Sequence, residues 1–221
     1  MSHTKRGTAI TGDLFTLQHP SLVLDAPFTS FVDVVFDGVT HQVLSTADRS
    51  AFNYANTTGQ FAIGDLQGHI IESIDTVDTQ ATHRYQAVLS GSSGALAVHT
   101  YLGSAQAVDL LAALRPVATP LGMALDPSDG AEIVTAPKVA VTTAIGVLEV
   151  SPLTGAIDAQ LPRWQGTIAP HGQLYAGRIG DEVPWLTLVT RRCRVAALLG
   201  ADVDPDHAAT ILALLDANWT E

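Results

Sequence analysis

The chain has 221 residues, 47% of them hydrophobic and 15% charged, with 11 Pro and a single Cys. That composition excludes a disordered chain and a Pro-rich linker, and one thiol excludes both a disulfide framework and a thiolate zinc cage. Asp plus Glu number 22 against 11 Lys plus Arg, a net charge of −11, which opposes binding to nucleic acid or an anionic membrane because both need a basic face.

The first residues, Met1 to Gly7, hold the basic pair Lys5-Arg6 with no apolar run behind it. No window nears the roughly 18 apolar residues of a membrane span, so a cytoplasmic location is expected. Arg outnumbers Lys, and Ala, Gly, Asp and Val abound, which fits a high-GC bacterial coding sequence.

The clearest element signal is Phe31-Val-Asp-Val-Val-Phe36, then Asp37-Gly38, then Val39-Thr-His-Gln-Val-Leu44. Asp-Gly between two β-branched runs predicts a two-residue hairpin, because both central residues tolerate positive φ. In that register Phe36 faces Val39 and Val34 faces His41, so Val32, Val34, Phe36, Val39, His41 and Val43 share a core face. A short helix is expected at 47–55, followed by strands at 60–63, 69–77, 82–90 and 95–102. The last two join through Gly91-Ser92-Ser93-Gly94. Pairing Leu89 with Leu96 groups Arg84, Gln86 and Val88 with Ala97, His99 and Tyr101, an unusually polar strand face.

The period then changes. Ser104 is the expected N-cap of a helix over 105–115 whose stripe is Val108, Leu111, Ala112 and Leu114, and Pro116 stops it. The stretch 116–130, punctuated by Pro and Gly, reads as a boundary. Strands follow at 132–134, 139–143, 147–150, 173–179, 185–190 and 194–199, with Asp204 capping a helix over 205–216. Strands and helices segregate, which gives an α+β fold: mainly antiparallel β-sheet with one amphipathic helix closing each of two similar halves, 1–116 and 117–221, around a shared core. The two Leu/Ala-rich helix ends, Leu110 to Pro116 and Leu212 to Asn218, admit an internal duplication.

Sites are harder to read. Eight His occur, but none forms the one-apart or four-apart pair that sets two ligands on one face, so no metal is assigned. Asp202-Val-Asp204-Pro-Asp206 opens like a calcium loop, yet His207 stands where the turn Gly belongs, and a helix cap explains these carboxylates better. No Walker loop or dinucleotide fingerprint is present, so no cofactor is assigned. Cys193 lies among Arg191, Arg192 and Arg194; on a strand it points away from Arg192 and Arg194, as a packed and inert thiol. These arginines suit a carboxylate or phosphate, although pairing with some of the 22 acids is their expected fate. Lys138, the one lysine outside the N-terminal segment, would form a Schiff base only if desolvated.

The candidate ligand-binding residues are thus Arg84, His99, Tyr101, Arg192 and Arg194, with Trp164 and Trp185, which together with Trp219 suit the lining of a groove. No catalytic residue is assigned. The expected function is a non-catalytic binding or interaction module for a protein or apolar small ligand, with self-association left open. Two other readings are an enzyme using the His99, Arg84 and Tyr101 face or a Lys138 Schiff base, and an acidic inhibitor steered to a basic partner.

Overall fold

Period-two alternation carries most of the chain into strands, and the computed structural model is 58% strand and 14% helix, an antiparallel α+β protein. It describes residues 2–52, 54–77, 80–101, 103–127, 130–155, 161, 166–179 and 183–220, with the backbone alone at 75–77, 80–83, 178–179 and 183. In chain order, β1 (His3–Thr8) and β2 (Leu14–His19) precede β3 (Phe28–Phe36), β4 (Val39–Thr46), β5 (Thr57–Ile63), β6 (Leu66–Val77), β7 (Gln80–Gly91) and β8 (Gly94–Thr100). Helix α1 (Ser104–Ala113) leads to β9 (Pro116–Thr119), β10 (Gly122–Leu125) and β11 (Ala131–Ile133). Then come β12 (Lys138–Thr143), β13 (Gly146–Pro152), β14 (Thr167–Ala169), β15 (Gly172–Ile179), β16 (Val183–Val189) and β17 (Cys193–Leu199), helix α2 (Pro205–Ala213) and β18 (Asp216–Thr220). No described helix is long and apolar enough to cross a membrane. The chain falls into two units, one of Met1–Gly7, Asp13–Phe28 and Ala136–Glu221, the other of Thr8–Gly12 and Thr29–Thr135.

In the unit around Thr29–Thr135 the sheet order is β3-β4-β8-β7-β6-β5, with β11 also on β3. The first hairpin turns on Asp37 (φ 50°) and Gly38 (φ 75°), the positive pair that Asp-Gly accommodates. Phe36 faces Val39, Val34 faces His41, and Leu89 faces Leu96, the registers that turn chemistry and alternation imply. The alternate set Val32, Val34, Val43, Ala87, Leu89, Leu96 and Val98 packs against Ala107, Leu110 and Leu111 of α1 and against Met123. Each such Leu contributes roughly 1.5–3 kcal/mol of apolar burial.

Two expectations are corrected in this unit. The helix read at 47–55 is two 3-10 turns, Arg49–Ala51 and Tyr54–Asn56, because the Asp48 carboxylate accepts from Ser50 N–H at 2.9 Å and tightens the turn, while Phe52 is extended between them. Ser104 is not the N-cap of α1; Gly103 is, at φ 126°, a conformation closed to side-chain-bearing residues. Within the stretch 116–130, read as a boundary, 116–125 forms the β9–β10 hairpin, which buries Met123 completely.

The other unit has a sheet ordered β12-β13-β17-β16-β15-β14 and a second sheet ordered β1-β2-β18. Val139, Val141, Leu148, Val150, Val195, Leu186 and Leu188 are buried, and α2 packs on β15, β16 and β17. Asp204 caps α2 by accepting from Asp206 N–H at 3.1 Å. The helix ends at Ala213, short of the expected 216, because Asp216 already belongs to β18, which pairs with β2. There Trp219 stacks on Phe15, Phe15 meets Phe28 edge-on at 4.9 Å, and the Trp219 indole donates to Asp13 Oδ2 at 3.2 Å. Buried His19 accepts from Ser21 and Leu22 N–H at Nδ1, which leaves Nε2–H to donate to the Ile211 carbonyl at the end of α2.

Candidate functional site

Antiparallel alternation brings Arg84, His99 and Tyr101 to one side of β7 and β8, and the three line a shallow depression of about 320 Å³ with Thr40, His41 and Gln42. Gln86 is cross-strand to His99. Arg84 donates a short bond to His99 Nδ1, while the Gln86 amide sits 2.8 Å from Nε2. The atom at that distance is the Gln86 amide nitrogen; a guanidinium only donates, so Nδ1 accepts and Nε2 carries the proton, which the Gln86 oxygen accepts once the amide is turned over. Burial, reinforced by the Arg84 charge, pushes the imidazole down to about 4. His99 is thus a neutral spacer with both nitrogens engaged. It orients Arg84 and has no nitrogen left to move a substrate proton.

A larger cleft, of about 850 Å³, lies wholly within the unit that holds α2. One wall is the β16–β17 turn. Thr190 and Cys193 close it through Thr190 N–H to the Cys193 carbonyl at 2.9 Å, and the Thr190 hydroxyl oxygen accepts from Arg192 and Cys193 N–H at 3.3 and 3.1 Å. A turn locked by its own hydroxyl leaves Arg191 and Arg192 at the apex, both exposed. A second wall is Pro170, His171 and Gly172; a Cβ on Gly172 would fall 2.0 Å from the Val189 carbonyl, so glycine sets the approach of β15 to β16. Asp216 and Asn218 of β18 form the third, with His171 Nδ1 3.9 Å from Asp216 Oδ1. Buried Tyr175 donates to Gln173 Oε1 at 2.7 Å, so the Gln173 amide keeps its N–H donors for other partners.

Among the described residues, internal pairing, the expected fate of the three arginines, is seen for Arg194. It turns to Glu149 Oε1 at 3.7 Å, an oxygen that Lys138 Nζ approaches to 3.2 Å. Among the described residues the side chains of Arg191 and Arg192 have neither an ion-pair nor a hydrogen-bond partner. Arg192 thus lines the cleft, whereas Arg194, on the strand proper, is held by a carboxylate away from it.

The remaining candidates disperse. Trp185 is half-buried against Gly177 and Trp219 is a core residue at 3% exposure, while Trp164 lies outside the described residues. Lys138 is half-exposed in its salt bridge with Glu149, not desolvated as a Schiff-base lysine must be. Cys193 is fully buried, and burial pushes its thiol up to about 11. Among the described residues no three His, Cys, Asp or Glu side chains could hold a metal ion together.

Sequence reasoning missed His171, Gln173, Asp216 and Asn218 as neighbours of the arginines. No local pattern marks them, because the cleft joins three segments through sheet pairing. Comparison of the chain with models of known families, with curated proteins and with solved structures finds no match.

Proposed function

We propose that the chain is a non-catalytic binding module that takes a small organic anion in the Arg191–Arg192 cleft. One observation carries this reading: two adjacent guanidiniums line a cleft with no carboxylate partner among the described residues, in a chain with twice as many acids as bases. A guanidinium offers a planar fork of donors matched to carboxylate or phosphate, and such charge-assisted bonds are about twice as strong as neutral ones. The charge of −11 repels long polyanions at distance, while a small anion inside one Debye length responds to the local pair. Binding without catalysis is supported by the hydroxyls of the cleft. Tyr175 donates to Gln173, and the Thr190 hydroxyl is spent on the Cys193 carbonyl and two backbone N–H groups, so neither stands beside a base as a nucleophile would.

Isothermal titration of the full chain with carboxylate and phosphate compounds, repeated on Arg191→Met/Arg192→Met, tests this. Binding that weakens with salt and disappears in the double variant is expected. No heat with any anion, or equal binding by the variant, overturns it.

We also infer that the two units arose by duplication. In each, a hairpin is followed by four antiparallel strands that return to the hairpin's second strand, then by a helix and a further strand. The orders β3-β4-β8-β7-β6-β5 and β12-β13-β17-β16-β15-β14 are one connectivity written twice, which supports descent from a single unit.

A further inference from the structure

We infer that the anion is a phosphate monoester on a hydroxylated, sugar-like body, held where one unit leaves open a place that the other fills. This rests on the anion-binding reading and narrows it. The equivalent turns are β7–β8 and β16–β17, each the last hairpin of its sheet before the helix. Their two apical residues are Ser92-Ser93 in one and Arg191-Arg192 in the other. In the first, the strand after the helix folds back as the β9–β10 hairpin, and Ser93 Oγ lies within bonding distance of the Thr119 and Gly122 carbonyls. In the second, the strand after the helix is β18, which pairs with β2 instead of folding back, and the arginines look into the cleft. Where the first unit places Ser93 against two carbonyls, the second places two long cations, Arg191 and Arg192, beside a cleft.

The cleft also selects among anions. One carboxylate can accept from two guanidiniums through the remaining lone pairs of its oxygens, but it brings a single negative charge to a doubly positive pair. A phosphate monoester carries about −1.5 to −2 charges and three terminal oxygens, enough for both forks. A dicarboxylate would satisfy both arginines only by bringing its second carboxylate into a site that already contains Asp216. Asp216, Asn218 and Gln173 instead supply acceptors and amide donors suited to hydroxyls. At about 850 Å³ the cleft exceeds what a bare phosphate fills and matches a small metabolite.

The test titrates the full chain by calorimetry with glucose 6-phosphate, glucose and succinate, in low and physiological salt, and repeats the series on Arg191→Met/Arg192→Met and on Asp216→Asn. Glucose 6-phosphate should bind at least about tenfold more tightly than succinate or glucose. The double arginine variant should lose it, and Asp216→Asn should weaken it by removing a hydroxyl acceptor while raising succinate affinity, since the carboxylate that opposes a second carboxylate is gone. Circular dichroism melts keep the variants interpretable, since the arginines are exposed and should leave the melting temperature unchanged. Succinate binding as tightly as glucose 6-phosphate overturns the phosphate inference and leaves the anion reading standing; failure of every anion removes both.

Discussion

Acid titration of His99 is the most direct check on the network that joins Arg84, His99 and Gln86. In the folded chain the ring is pushed down to about 4 from an ordinary value of 6.5, first by burial and then by the Arg84 charge. A depressed His means that the unfolded chain takes up the proton first as pH falls. The stabilising contribution is therefore complete above about pH 6.5 and is lost as pH drops towards 4. At 1.36 kcal/mol per unit the ceiling is roughly 3 kcal/mol, and the ring's partial exposure screens this to about 2 kcal/mol. Urea unfolding of the native chain and of His99→Gln, at pH 7.5 and at pH 4, isolates the effect because the carboxylates titrate alike in both. The stability difference between the two proteins should shrink by about 2 kcal/mol at the lower pH. The His99 ring resonances should titrate with a midpoint near 4. A difference that does not change with pH, or a midpoint near 6.5, would refute the neutral, doubly bonded assignment.

Other residues give sharper or cheaper tests. Gly172→Ala places a Cβ 2.0 Å from the Val189 carbonyl, so β15 must shift; a loss of about 1–3 kcal/mol in urea is expected, together with weaker anion binding in the cleft it borders. Leu111→Ala empties a fully buried position under α1 and should cost about 2–5 kcal/mol, whereas a cost below about 1 kcal/mol would mean that the helix is not seated as described. Cys193, fully buried with its thiol pushed up to about 11, should react with a thiol reagent at pH 8 only after denaturation, and rapid native labelling would contradict its burial.

What was legible came from local chemistry. Asp37-Gly38 determined the first hairpin because few dipeptides accept two positive φ angles in succession. Alternation then grouped Arg84, Gln86, His99 and Tyr101 on one face, for a strand's side-chain period leaves no other arrangement once Leu89 pairs with Leu96. The strands β1, β2, β9, β10, β14 and β18 were not legible; β2 and β18 depend on each other from opposite ends of the chain, and β9–β10 lies in a stretch punctuated by Pro and Gly. Asp216-Ala-Asn-Trp-Thr220 looked like a helix end because nothing local announces that Trp219 will pair with Phe15.

By itself, then, the sequence determined the class of fold, the hairpin registers and the burial of Cys193, all consequences of near-neighbour sterics and alternation. Only the tertiary structure decided which charges meet. Arg194 found Glu149 across a β-ladder, while Arg191 and Arg192, one turn away, found no acid among the described residues and line a cleft instead. Composition counts acids and bases, but strand pairing assigns their positions, and an ion pair depends on distance.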